Sequence, residues 1–491
     1  MNTNDITFNY VRNRIREYER KDLLEHLFRI LTRMDLGKGS PRVWDVLTLL
    51  KWTYLYAGEK YPSKALTPEK FQKLWNNIVK LQDNTLLKAS KASGWHTAIH
   101  MLSYQQFYLQ TSMHWTDFAR QLKLYDTLVS KYDINQSFYT KTGLHIPEFI
   151  QMLFVFCLHL NLDLIHKNKA PYKGYLNPSD LQLFSIIFEK SKTKTFLNIL
   201  SLDDENATEK IKNYRKSLKN GKFQPFEISV FTMYPFLNLG NKLKVVHRKV
   251  YTYTCLNYIY DFLKENDKDF PEEFGRRFEK YVELGLQEVE THYKTENNLK
   301  KEYGKTEKIT DFVVEDTLII ECKGIEQSPL AAVNPYGEIA KNAMRDSIIK
   351  AYTKQMLNIA SKLKRQTTKY GLIITYKEFY FSSMEDIWEI VQEDVQKFCR
   401  HNNLEENPLP PERVFIINIK VWDMMVQAVK DKKATWVSIL EQAVQNNRCE
   451  KTKQKYFASH LEDYDINKCD LSYLKEEYQK MDHLLTKHDR S

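Results

Sequence analysis

Residues 309–324 read ITDFVVEDTLIIECKG, and the pattern of this stretch decides the fold expected for the second half of the chain. Two arms rich in β-branched and apolar residues flank an acidic break at Glu315 and Asp316, which is the signature of two short strands joined by a tight turn. A three-residue turn, 315–317, sets Val314 against Leu318 and Asp311 against Glu321. Side chains opposed in this way have Cβ atoms roughly 5 Å apart. Two carboxylates that close repel unless positive charge lies between them, and a divalent metal held by oxygens at about 2 Å fits the gap. The strand period puts Lys323 on the face of Glu321 and sends Phe312, Val314, Ile320 and Cys322 to the other. A two-residue turn would slip the register by one and part the acids.

The spacing Asp311-x9-Glu321-x-Lys323 on a strand–turn–strand resembles the signature of the PD-(D/E)XK nuclease superfamily, with Thr310 where the family usually has proline. The resemblance implies a restriction-endonuclease-like α/β core with a mixed sheet, in the order helix–strand–strand–strand–helix–strand. It covers residues 272–425, about a third of the chain. It also implies metal-dependent hydrolysis of phosphodiester bonds with Mg²⁺ or Mn²⁺. In that chemistry a metal polarises the phosphate and generates hydroxide near neutral pH, and the lysine orients or deprotonates the attacking water. Asp311 and Glu321 would be metal ligands, joined by the Cys322 backbone carbonyl. The helix before the hairpin often supplies another acid. Within GRRFEKYVELG (275–285) Glu279 is the best match, with Glu283 one turn on. Gln355 and Tyr352, on a helix expected over 339–363, match polar positions that related nucleases place near the metal.

Around this core the sequence supports a multidomain α and α/β protein. Residues 1–265 read as nearly all helix, a sensor, regulatory or substrate-binding domain. Leu23, Leu27, Leu31 and Met34 recur at helical spacing, and Ser40-Pro41 and Thr67-Pro68 are helix starts. Further helices are expected over 95–130, 146–165, 178–200 and 205–218. The polar run 264–271 (KENDKDFP) is the expected boundary. The nuclease core follows over 272–425, with strands at 294–303, 369–376 and 414–421 and a capping box at Ser382-x-x-Glu385. A helical extension, 426–491, packs on the core. His96 and His100 have metal-ligand spacing but lack the intervening glutamate of a zinc-protease motif, so helix-face histidines are expected.

The chain has 491 residues and a formal net charge of +10, compatible with a polyanionic partner. Six scattered cysteines without CxxC spacing point to a reducing compartment and no zinc site. The polar N-terminus and interrupted apolar runs predict neither secretion nor a membrane span, hence a cytoplasmic protein. Three basic stretches stand out: 190–194 (KSKTK), 210–222 (KIKNYRKSLKNGK) and 242–249 (KLKVVHRK). Each reads as a solvated helix face or as a phosphate contact.

These observations combine into one expectation. The resemblance to PD-(D/E)XK nucleases implies a Mg-dependent endonuclease acting on DNA, and its fusion to a large helical domain resembles effectors of anti-phage defence, which implies a phage protein as trigger. The alternatives are an RNase acting on structured RNA such as tRNA, and a non-catalytic nucleic-acid-binding scaffold.

Overall fold

In the computed structural model the described residues are all but 1–5, 39–41, 59–62, 129, 163–171, 215, 241, 305–307, 327, 335–340, 343, 365, 467–468 and 488–491, and the side chains of 482–487. The protein is mostly helical and carries two small mixed sheets, compatible with a multidomain α and α/β architecture.

Helices dominate the first half. The Thr67-Pro68 start forms as expected, with the Thr67 side chain accepting from Lys70 N at the head of helix Pro68–Ser93. The Ser40-Pro41 start lies outside the described residues. Residues 1–265 are not nearly all helix, however. Four strands of two or three residues, β1 (Tyr175–Leu176), β2 (Ser201–Leu202), β3 (Phe236–Asn238) and β4 (Leu243–Val245), form a sheet ordered β1-β4-β3-β2. Windows of helical periodicity pass over strands this short.

The second sheet has five strands in the order β5-β6-β7-β8-β9: β5 (Tyr293–Thr295), β6 (Phe312–Val314), β7 (Leu318–Lys323), β8 (Tyr370–Thr375) and β9 (Val414–Asn418). The first three are antiparallel neighbours, whereas β7–β8 and β8–β9 run parallel. Val314 pairs with Leu318 and Phe312 with Ile320, so the register is that of the three-residue turn. Glu315 and Asp316 take φ of 50° and 53° there. Asp tolerates this left-handed region better than Glu does.

Helices cover both faces of this sheet, so β8 is buried throughout, as parallel central strands are. One face (Phe312, Val314, Leu318, Ile320, Leu372, Phe415) joins helices Phe270–Glu288 and Ile419–Lys430 in an apolar core that continues through the helical half. The other (Val313, Ile319, Ile373, Ile416) packs with Ile348, Tyr352, Met356, Ile387 and Val391 in a second core.

Several elements differ from expectation. The segment 294–303 is not one strand: β5 ends at Thr295, whose side chain accepts from Asn298 N and starts helix Glu296–Tyr303. The helix expected over 339–363 is wound as π-helix at Arg345–Ile349 and Ala351–Met356 before turning α over Leu357–Lys362. The capping box uses Ser383 and Asp386, one residue along from Ser382 and Glu385. The strand expected over 414–421 stops at Asn418, whose side chain accepts from Lys420 N and Val421 N and starts the next helix. The run 264–271 is a helix end and a tight turn: Arg248–Asn266 gives way to Phe270–Glu288, and the apolar core runs across it.

The C-terminal helices fasten the two halves together. Helix Ser472–Lys487 lies on helix Trp115–Leu122, with Trp115 against Tyr478 at 4.7 Å. Beneath it Arg120 donates to the Asp423 carboxylate, which also accepts from Tyr281 and Tyr473. Among the described residues no helix is long and apolar enough to cross a membrane.

Candidate active site

The β6–β7 hairpin brings Asp311 and Glu321 to the same end of the sheet, one residue beyond the Phe312–Ile320 pair. Asp311 is anchored by the backbone: its Oδ2 accepts from Cys322 N at 2.6 Å. Cys322 meets the site through this N–H, and its thiol packs toward the opposite core. Thr310, fully buried, donates its hydroxyl to Ile320 O at 2.6 Å and ties the two arms together one residue earlier.

Glu321 is 1% exposed. Its Oε1 accepts from Lys323 Nζ at 2.5 Å, and Lys323 also reaches Gln355 Oε1 at 3.4 Å. Glu321 Oε2 is buried and has no hydrogen-bond partner among the described residues. Gln355 is held in turn by donating Nε2 to Ile309 O at 3.2 Å. It sits on the second π-turn, a local winding that re-aims side chains and recurs at functional sites. Tyr352, three residues earlier, points elsewhere: its hydroxyl donates to Leu409 O and accepts from Asn407, so it packs the proline-rich loop.

The electrostatics follow from crowding two acids in a poorly solvated place. Burial, then the neighbouring Glu321, push the Asp311 carboxyl up to about 8, against the Cys322 N–H and Lys323. Burial raises Glu321 as well, opposed by Lys323. Burial disfavours the Lys323 ammonium, but the carboxylates of Glu321 and Asp311 outweigh it and hold its pKa above the ordinary value.

Glu279 lies on helix Phe270–Glu288, which packs on the opposite face of the sheet. Burial, then the charges of Asp311, Glu296 and Glu283, raise it to about 7. Its neighbour Glu283 accepts from the Tyr293 hydroxyl at 3.0 Å. Among the described residues no three His, Cys, Asp or Glu side chains converge as a ready metal cage. The carboxylate pair and the Cys322 backbone are therefore the nearest approach to one. The unpartnered Glu321 Oε2 and the raised Asp311 fit a divalent cation, because both are relieved by positive charge placed between them.

Just past the hairpin lies an ion-pair cluster around Glu326 and Asp261, acids that the sequence did not single out. Glu326, three residues after Lys323, is embraced by Lys216 (3.0 Å), Lys264 (3.1 Å) and Lys377 (2.8 Å), and Asp261 shares Lys216 and Lys377. These lysines hold its carboxyl far below the usual range. The Tyr260 hydroxyl donates to Gly324 O at 3.1 Å, and Tyr125 donates to Tyr376 at 2.7 Å. Lys216 and Lys264 belong to the helical half, so the hairpin exit is pinned to it by ion pairs. An isolated glutamate in a loop gives no periodic signal, which is why sequence reading passed over it.

Elsewhere, His100 is 3% exposed and stacks on Phe381 at 4.4 Å, while His96 is exposed. His100 thus packs against the aromatic ring, while His96 lies on the exposed side of the helix. The chain matches no family model, no curated protein and no solved structure.

Proposed function

We propose that the protein is a metal-dependent nuclease of the PD-(D/E)XK type that hydrolyses DNA, with Asp311, Glu321 and Lys323 at its centre. One observation carries the reading: two acids and an ammonium share one end of the β6–β7 hairpin, with one buried carboxylate oxygen left without a partner. Asp311, Glu321 and the Cys322 carbonyl would hold Mg²⁺ or Mn²⁺, which when bound supplies Lewis-acid activation of phosphate and water.

The chain's own residues take the remaining roles. Lys323, paired with Glu321, stays protonated at neutral pH and serves as a positively charged donor to the scissile phosphate or its attacking water. Gln355 fixes the Lys323 head group through its Oε1. Glu279, raised to about 7 on the helix that packs against the other face of the sheet, would exchange a proton with the site from that side. The Glu326 ion pairs join the helical half to the hairpin exit, and in an effector triggered by a phage protein they would be the link through which that half restrains the centre.

The test incubates the full chain with Mg²⁺ or Mn²⁺ and duplex DNA, single-stranded DNA or tRNA, beside Asp311→Ala. Glu326→Gln is run in parallel to loosen the restraint. Metal-dependent DNA cleavage by the wild type or Glu326→Gln, lost in Asp311→Ala, is expected. Cleavage confined to tRNA would transfer the assignment to the RNase alternative. Absence of cleavage, together with no calorimetric Mn²⁺ binding that Asp311→Ala removes, would leave the scaffold reading.

A further inference from the structure

The three lysine-rich stretches do not line the carboxylate site. Several of their lysines are consumed internally: Lys192 pairs with Glu148, Lys216 with Asp261 and Glu326, and Lys244 is fully buried beneath Tyr175. Four others, Lys190, Lys194, Lys210 and Lys242, instead line a single cavity of about 670 Å³ in the helical half. They arrive from three separate places in the chain: the first turn of helix Lys190–Leu200, helix Ala207–Lys212, and the turn leading into β4. None of the four has a carboxylate within ion-pair distance among the described residues. The acid on the wall, Asp203, is occupied by the N–H and side-chain amide of Asn206.

The cavity is a built one. Lys210 is held in place by neutral partners, donating to Ser201 O at 3.0 Å and Asn198 O at 3.4 Å over the Tyr234 ring. Two hydroxyls on the wall, Thr193 Oγ1 and Ser201 Oγ, are buried without a hydrogen-bond partner among the described residues, and Thr193 is only 5% exposed. A buried hydroxyl left unsatisfied in this way is destabilising, and a ligand oxygen would relieve it. Helix Lys190–Leu200 presents one side to the cavity, through Lys190, Thr193, Lys194, Leu197 and Asn198. Leu176, Leu181, Leu197 and Leu243 supply an apolar floor.

We propose that this cavity binds a nucleotide carrying two or three phosphates. The phosphates would meet the four lysines, Thr193 and Ser201, and the base would rest on the leucine floor. The volume falls in the range of small-ligand sites, roughly 300–1,000 Å³. The lysines surround a concavity rather than following a track, which selects a compact polyanion over a strand. An apolar floor serves an organic group and has no use to inorganic phosphate. The site is independent of the carboxylate centre.

Calorimetric titration of the full chain in 0.15 M salt with ATP, pyrophosphate, adenosine and a dodecameric oligothymidylate tests the proposal. Saturable ATP binding at one site per chain is expected, at least tenfold tighter than pyrophosphate or adenosine. It should weaken at least tenfold in Lys194→Ala/Lys242→Ala, whose side chains are solvent-exposed and not needed for folding, and stay unchanged in Asp311→Ala. Three results would each overturn the proposal: no saturable ATP binding, equal affinity in the double variant, or tighter binding of the oligothymidylate that the double variant loses. Pyrophosphate binding as tightly as ATP would overturn the assignment of the base to the leucine floor.

Discussion

Asp311→Asn tests the electrostatics of the hairpin most directly. The substitution keeps an oxygen that can accept from Cys322 N and removes the charge facing Glu321. The Asp311 carboxyl moves from 3.8 unfolded to about 8 folded. An acid whose folded pKa is raised contributes stability in full below the unfolded value, and loses it as pH rises through the folded one. The wild type should therefore fall behind Asp311→Asn progressively between about pH 4 and pH 8. At about 1.4 kcal/mol per unit the ceiling is ~6 kcal/mol. Partial solvent access to Asp311 and the nearby Lys323 reduce this to ~2–3 kcal/mol at pH 8.5. In a chain this long that is a few degrees of Tm. Differential scanning calorimetry in chelator should find the variant more stable at pH 8.5, with less than half that advantage at pH 5.5. Added Mn²⁺ should reverse the order, because the wild type gains by binding and the variant does not. A variant less stable than wild type at pH 8.5 without metal, or an advantage that ignores pH, would refute the repulsion argument.

Other perturbations have distinct readouts. On the proposed nuclease reading, Lys323→Ala should lower DNA cleavage at least 100-fold while calorimetric Mn²⁺ binding persists, since it would remove a transition-state donor and not a ligand. Glu326→Gln removes the acid paired with Lys264 and leaves Lys216 and Lys377 with Asp261 alone, and should destabilise the fold by ~1–3 kcal/mol, measured by urea denaturation. Gly285→Ala places a Cβ 2.7 Å from Trp422 Nε1 and 2.8 Å from Val426 Cγ2, so a loss of ~1–3 kcal/mol is expected in the same assay.

The hairpin was legible because its information is local. Two β-branched arms and a turn of fixed length determine which residues oppose each other, and the structure keeps that register even though Glu315 must adopt φ of 50°. The helix of Phe274, Phe278, Tyr281 and Leu286 was equally plain from its stripe. What escaped was non-local or too short. The strands β1 to β4 hold two or three residues each and exist only by pairing with one another. No residue in 345–356 announces the π-winding around Gln355, since helical periodicity does not distinguish it from an α-helix over so few residues. The lysine-rich stretches were visible as charge, but only folding sorts them into an ion-pair lock on Glu326 and a wall around a cavity.

The bond between Arg120 and Asp423 spans 303 residues of chain. On a ribosome adding roughly 5–20 residues per second, Arg120 waits ~15–60 s for its carboxylate, and longer for Tyr473. Through that interval the buried Arg120 guanidinium has Asp117 as its acidic partner, while Phe118 can already meet Phe154. The first half can thus begin its core early, but the charge network that locks it to the second half closes only once the C-terminal helices have been synthesised.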